Sequence, residues 1–230
     1  MSLVSMPWLN FSNSLDQTLF QGLVAFYNFN SNLVDTSGQG NDAAIQGGVT
    51  FTNGRDGSAG NGLLFNGTTG FLSTTNSLSS PQDYSSNVWF KTSTTGGVLI
   101  AFTNSQTATA PTNFDRILWI DTTGHANFGV YIGSVHYITS TGTYNDGNWH
   151  MATATMSSTL GMGLYIDGTS VATDANTTSQ SYTGWWRIGE SNTTGGWPAT
   201  MNQYFTGSID DVKIYSSALN AAQVTNLYAL

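Results

Sequence analysis

A chain of 230 residues with no cysteine is long enough to bury the core of one large all-β domain without covalent staples, and it offers no disulfide or thiol chemistry. Charged residues make up only 8% of it and aromatics 13%; polarity comes from Ser, Thr, Asn, Gln and 26 Gly, which suits many strands joined by tight turns. The net charge of -8 leaves five cations, Arg55, Lys91, Arg116, Arg187 and Lys213, scattered singly; this excludes nucleic-acid binding, which needs clustered Lys and Arg to displace counterions, and argues against docking on an anionic membrane.

In chain order, residues 1–21 come first as an expected N-terminal arm. Met6, Trp8, Leu9, Phe11, Leu15, Leu19 and Phe20 are mixed with Ser and Asn and show no periodicity. Such an arm packs on its own domain or reaches a neighbouring subunit, making a homo-oligomer. Met1–Asn13 lacks the basic start and continuous apolar stretch of a secretory signal. No apolar run approaches the length of a membrane span.

From residue 22 to 230 one domain is expected, with short apolar or alternating runs separated by Gly-rich turns. Strands are predicted at 23–29, 62–65, 70–73, 87–91, 97–102, 116–120, 126–131, 135–138, 150–156, 162–166, 185–188 and 205–215. The connectors carry Asn53-Gly54, Asp56-Gly57, Asn61-Gly62, Asn66-Gly67, Asp146-Gly147 and Asp167-Gly168, pairs that tolerate the positive φ of hairpin turns. Many strands with no alternating helices indicate an antiparallel sandwich or barrel. Alternation sends Leu164 and Ile166 one way and Tyr165 the other. It sends Trp186 and Ile188 inward and Trp185 and Arg187 outward. Trp149 is expected in the core, with His150 on the opposite side of its strand. One C-terminal helix is predicted, with Asn220 and Gln223 forming a capping box and Val224, Leu227 and Tyr228 on one face.

Three segments together resemble the laminin-G-like, concanavalin-A-like jelly-roll family. Residues 22–29 followed by Asp35-Thr36-Ser37-Gly38-Gln39-Gly40-Asn41-Asp42 are similar to its opening strand and "DxSGxGN" turn. Asp146-Gly147-Asn148-Trp149-His150-Met151-Ala152 and Leu164-Tyr165-Ile166-Asp167-Gly168 resemble its "DGxWHxVA … LYVDG" hairpin. Phe205-Thr206-Gly207-Ser208-Ile209-Asp210-Asp211-Val212-Lys213-Ile214-Tyr215, with Ala218-Leu219, resembles its "FxGxIDDVRIYxxAL" closing strand. The resemblance implies an all-β, antiparallel two-sheet jelly-roll sandwich with a short C-terminal helix. It also implies a domain that binds glycans or proteins, often beside calcium and usually without catalysis.

The residues themselves argue against catalysis. Glycoside hydrolysis usually needs two tuned carboxylates across the scissile bond. Glu190 is the only glutamate, and Asp210 and Asp211 would face opposite ways on a regular strand. His125, His136 and His150 sit on different elements without HExxH spacing, and no Gly-x-Ser-x-Gly elbow occurs. Calcium, as a structural ion, is the expected cofactor, held by Asp35, Asn41, Asp42 and Asp210; the alternative is that Asp35 and Asn41 only form Asx-type turns and Asp210 binds backbone amides. For a sugar, held by ring stacking and hydrogen bonds, the candidates are Trp185, Trp197, Tyr204 and Tyr137, with Glu190 and Asn192 nearby. The alternative is that these aromatics pack under their own loop.

The expected function is a non-catalytic carbohydrate-binding or adhesion module at an extracellular, cell or virion surface, with a glycan or surface protein as ligand and no membrane insertion. The second reading is a structural or assembly protein of a virion surface or extracellular filament, with residues 1–21 as the subunit contact.

Overall fold

The computed structural model describes residues 19–107 and 110–230; most of the expected N-terminal arm, residues 1–18, lies outside the described residues. The rest forms two antiparallel eight-stranded sheets facing one another. The first contains β1 (Leu23–Tyr27), β3 (Val49–Thr52), β4 (Gly62–Asn66), β7 (Tyr84–Lys91), β12 (Trp149–Ser157), β13 (Gly161–Ile166), β14 (Thr169–Asp174) and β16 (Thr206–Tyr215). Its order is β14-β13-β12-β7-β16-β4-β3, and β1 also pairs with β16. The second contains β2 (Ala43–Ile45), β5 (Leu72–Thr74), β6 (Leu78–Ser79), β8 (Gly97–Thr103), β9 (Phe114–Ile120), β10 (His125–Tyr131), β11 (Val135–Thr143) and β15 (Thr183–Ile188). Its order is β11-β10-β9-β8-β15-β5-β2, with β6 on β15.

Period-two alternation builds the core between the sheets. Ala152, Ala154 and Met156 of β12 and Leu164 and Ile166 of β13 face Phe128 and Val130 of β10 and Trp186 and Ile188 of β15 in one buried cluster. Trp186 packs at 5.5 Å from Tyr84 and 5.2 Å from Phe102. Each such buried aromatic contributes about 1.5–3 kcal/mol through the area it removes from water.

The outer face of the first sheet carries a second buried cluster of Leu19, Leu23, Trp89, Met151, Tyr165, Tyr215 and Leu219. The helix α1 (Ala221–Tyr228) covers it with Val224 and Leu227. A helix of two turns is unstable alone. Here Asn220 Oδ1 accepts from Gln223 N at 3.0 Å, and Gln223 Oε1 accepts from Asn220 N at 2.9 Å, the predicted capping box. Tyr228 stacks on Trp89 at 5.5 Å. Trp149 belongs to this outer layer and is half-buried, not in the core between the sheets as expected, because it shares a face with Met151.

His150 points to the inner side, beside Phe90 and Tyr144. Its Nδ1 lies 2.8 Å from Asp167 Oδ2 and its Nε2 3.2 Å from Asp146 Oδ1, so a carboxylate faces each ring nitrogen. These hydrogen bonds, Asp167 foremost, raise its pKa above 6.5. A raised histidine pKa adds stability that is complete below pH 6.5 and disappears as pH rises through the folded value. His150→Phe should therefore remove a fall in melting temperature that the wild type shows from pH 6 to 9. Melting curves across that range check this, and parallel profiles for the two proteins contradict it.

Two β-bulges carry the Asp115–Arg116 pair and the Asp211 partner of Arg55. On β9 an extra residue sits opposite β8 between Ile100 and Phe102, and Arg116 there has φ +54°. On β16 an extra residue sits opposite β7 between Asp210 and Lys213, and Asp211 there has φ +45°. A bulge breaks strict alternation and re-aims side chains. Asp210 and Asp211 therefore do not diverge as regular strand geometry predicts. Arg55 N donates to Asp210 Oδ2 at 2.9 Å, and Arg55 Nε donates to Asp211 Oδ2 at 2.8 Å.

Candidate functional site

The outer face of the second sheet is built from residues of four strands, alternate on β9 and β10 and offset on β8 by a bulge between Val98 and Ile100. Ile117 and Trp119 of β9, Val98 and Ala101 of β8, and Trp197 and Met201 of the β15–β16 connection form a buried cluster, with Phe114 and Val135 packed at its margin. On β10 the inward Phe128 and Val130 leave Asn127, Gly129 and Tyr131 facing out. Gly129 is needed here for space. A Cβ on it would lie 2.9 Å from Trp197 Cζ3 and 2.9 Å from Tyr137 Cβ. The missing side chain lets Trp197 settle onto the sheet, edge-on to Trp119 at 5.8 Å and tilted against Phe114 at 6.4 Å.

Beside Trp197 lies a cleft of about 270 Å³ lined by Thr112, Asn113, Phe114, Tyr131, Gln180, Thr194, Gly195 and Trp197. Buried ion pairs and amide contacts fix its walls. The first pair, Asp115 with Arg116, is fully buried. Gln180 N donates to Asp115 Oδ2 at 2.9 Å and Tyr182 OH to Asp115 Oδ1 at 2.9 Å, while Arg116 Nη2 donates to Gln180 O at 2.7 Å and Nε to Pro81 O at 3.0 Å. The bulge at Arg116 turns the guanidinium toward Phe102, 5.0 Å from the ring centre. Burial pushes the Asp115 carboxyl up from its ordinary range, and the Arg116 charge pulls it back. The second pair, Arg187 with Glu190, is also fully buried. Arg187 donates twice to Ser105 O, and Gln203 Nε2 donates to Glu190 Oε1 at 3.0 Å. The connections flanking the cleft also touch directly, where Asn192 Nδ2 donates to Pro111 O at 3.3 Å.

Of the sugar-binding candidates, Trp197 lines the cleft, although only 6% exposed, and Tyr137 stands outside it, 46% exposed and 5.7 Å from Trp119. Asn192 braces the loop, accepting from Thr194 N at 3.0 Å. Glu190 is inaccessible and supports the loop from beneath; the sequence placed it near a ligand, but Arg187 three residues earlier captures it. Burial raises its carboxyl above the ordinary range. Trp185 is half-buried on β15 opposite Thr103, and Tyr204 bridges to Glu190; neither lines the cleft. Sequence reasoning missed Phe114, Tyr131 and the polar lining residues. Tyr131 had a signal, since alternation about Phe128 and Val130 puts it outside.

The expected calcium ligands are arranged otherwise. Asp35 Oδ1 accepts from Phe26 N at 2.9 Å and Ser37 N at 2.8 Å, and Oδ2 accepts from Asn41 N at 2.9 Å and Ser37 Oγ at 2.8 Å. Asp42 Oδ1 accepts from Asp35 N at 2.8 Å, and Asn41 Oδ1 from Asn76 N at 2.9 Å. Asp210 accepts from the amides of Arg55 and Asp211, and burial raises its pKa to about 6. A hard cation needs several oxygen lone pairs aimed at one point. These point at N–H and O–H donors instead, and among the described residues no three His, Cys, Asp or Glu side chains gather as a ligand set. The donor set does not fit a calcium ion: Asp35 forms an Asx-type turn and Asp210 binds backbone amides, as the alternative has it, while Asn41 reaches across to Asn76 instead of forming a turn of its own. Excess EDTA should leave the melting temperature unchanged, and a fall reversed by calcium contradicts this.

Comparison with known proteins agrees with the architecture. Domain 4 of AbnA, an extracellular GH43 arabinanase from Geobacillus stearothermophilus, solved in complex with arabinotriose, superposes with a TM-score of 0.66 at 20% identity over 90% of this chain and 98% of that one. The binding domain of Paraclostridial Mosquitocidal Protein 1 gives 0.67 at 16% identity, over 91% of this chain and 52% of that one. Botulinum neurotoxin type C, whose cell entry is dependent upon interaction with two ganglioside molecules, gives 0.61 at 17% identity, over 93% and 52%. The chain thus spans about half the length of the toxin structures. At these identities the likeness is one of fold. No curated protein sequence matches. The family model Laminin_G_3, described as the concanavalin A-like lectin/glucanases superfamily, matches residues 65–225, and the chain belongs to that family.

Proposed function

We propose that this domain is a non-catalytic carbohydrate-binding module acting outside the cell, and that it holds its ligand in the cleft beside Trp197. The observation that carries the reading is the lining itself: Phe114, Tyr131 and Trp197 surround a space whose remaining side chains are the hydroxyls of Thr112 and Thr194 and the amides of Asn113 and Gln180. Aromatic rings offer faces and edges to the C–H side of a sugar, while amides and hydroxyls exchange hydrogen bonds with its hydroxyls. The cleft volume lies near the small end of ligand sites and suits one or two sugar rings. Support also comes from the neighbour solved in complex with arabinotriose.

The non-catalytic part of the reading rests on the carboxylates. No Asp or Glu lines the cleft, and Glu190 and Asp115 behind it are each paired with an arginine. Fold alone does not decide function in this superfamily, so the site has to carry it. Phe114→Ala with Tyr131→Ala should abolish retention on polysaccharide in affinity electrophoresis while leaving the melting temperature within a few degrees, since both rings are half-exposed. Undiminished retention by the folded double variant would remove the cleft from consideration.

A further inference from the structure

Resting on that reading of the cleft, we infer that the ligand is an uncharged saccharide, so that uronate-, sulfate- and sialate-bearing glycans, and polyamine sugars, are excluded. No lining residue of the cleft carries a charge. The sequence extends this well past the lining. Residues 104–113, 175–186 and 191–204, the stretches that contribute Thr112, Asn113, Gln180, Thr194, Gly195 and Trp197 to the cleft, contain no Asp, Glu, Lys, Arg or His. The charged residues that border these stretches in sequence all have partners; Asp174, just ahead of residue 175, lies 2.8 Å through Oδ1 from His136 Nε2. Asp115 is matched by Arg116 and Glu190 by Arg187, all four fully buried. Of their remaining hydrogen bonds, one each from Asp115 and Arg116 ties down the cleft wall at Gln180, and two from Arg187 hold Ser105 in the 104–113 stretch.

A carboxylate or sulfate entering this cleft loses water and meets no cation, and an unpaired charge drawn out of water is costly. An ammonium group meets no carboxylate. A neutral sugar hydroxyl loses only hydrogen bonds that Thr, Asn and Gln side chains can replace in kind. The long-range field reinforces one half of this. At a net charge of -8 the protein repels polyanions before contact. It attracts polycations, so an amino-sugar polymer can associate weakly and non-specifically through the field, in a manner that salt abolishes.

The test is a panel titrated by isothermal calorimetry at low and high salt. Its neutral members are xylan, arabinan, laminarin and galactomannan; its charged members are polygalacturonate, heparin and chitosan. The expected result is saturable binding to at least one neutral polymer, with a Kd that changes less than about twofold between the two salts, because neutral contacts are not screened. That binding should be lost in the Phe114→Ala, Tyr131→Ala double variant. Charged polymers should bind at least about tenfold more weakly at high salt. Tighter binding to polygalacturonate or heparin, lost in the double variant, overturns the uncharged class and leaves the carbohydrate reading standing. Salt-resistant binding to chitosan does the same. Absence of binding to every polymer counts against the carbohydrate reading itself, and with it this inference.

Discussion

Asp115→Ala should destabilise the fold by about 3–5 kcal/mol, the usual cost of removing one partner from a buried ion pair. The reason is what it leaves behind. The Arg116 side chain is fully buried, and without Asp115 its guanidinium keeps only the carbonyls of Pro81 and Gln180 and the faces of Phe102, Tyr182 and Tyr84. Tyr182 OH keeps Phe102 O as an acceptor, but Gln180 N loses its carboxylate. For a domain of this size the melting temperature should fall by roughly 10 °C. Asp115→Leu combined with Arg116→Met should fall less than Asp115→Ala alone, because a well-packed apolar pair replaces a stranded charge. Calorimetric melting of the three proteins checks the order. A double variant less stable than the single one would mean that the pair matters for its hydrogen bonds and not for its charge balance.

The second large effect concerns binding. Gly129→Val should weaken polysaccharide affinity by about tenfold or more, equivalent to about 1.4 kcal/mol, while the fold persists. The β-branched side chain suits a strand, but even its Cβ would stand 2.9 Å from Trp197 Cζ3 and from Tyr137 Cβ. Trp197 must then lift, and Phe114, tilted against it, loses its support. Tyr137 lies on the neighbouring strand, held in register with Gly129, and has less room to move than a loop residue. Affinity electrophoresis alongside circular dichroism measures both consequences. Full affinity in a folded Gly129→Val protein would show that the seat of Trp197 does not set the shape of the cleft.

Local chemistry made part of this legible from the sequence. The capping box at Asn220 and Gln223, the inward Leu164 and Ile166, and the inward Trp186 and Ile188 follow from periodicity within a single element, and the structure has all of them. Trp149 went to the other layer because alternation fixes which residues share a face but not which face is covered by the helix. The bulges at Arg116 and Asp211 left no trace, since neither residue type marks positive φ as glycine does. Those bulges place the Asp115–Arg116 and Arg55–Asp211 pairs, so the arrangement of Asp115 and Asp210 does not follow from alternation.

The site divides the same way. Trp197 stood out as a large aromatic in a Gly- and Thr-rich connection, and it does line the cleft. Phe114 and Gln180 join it only because the β8–β9 and β14–β15 connections meet beside the β15–β16 connection, a long-range event set by strand order. Asp35 and Asn41 supply the ligand types of a calcium turn, yet Asp35 accepts within its own turn and Asn41 Oδ1 accepts from Asn76 N, 35 residues away, and composition alone does not separate these uses.

The proposed sugar seat lies on the outer face of the second sheet, and the indole N–H resonances of the tryptophans report on it directly. In a titration with a bound neutral oligosaccharide, followed by two-dimensional ¹H–¹⁵N NMR, the Trp197 indole signal should shift the most. The signals of Trp89 and Trp149, in the helix-covered layer of the first sheet, should stay in place. Shifts concentrated on Trp89 and Trp149 with Trp197 unmoved would instead place the binding surface on the opposite side of the molecule.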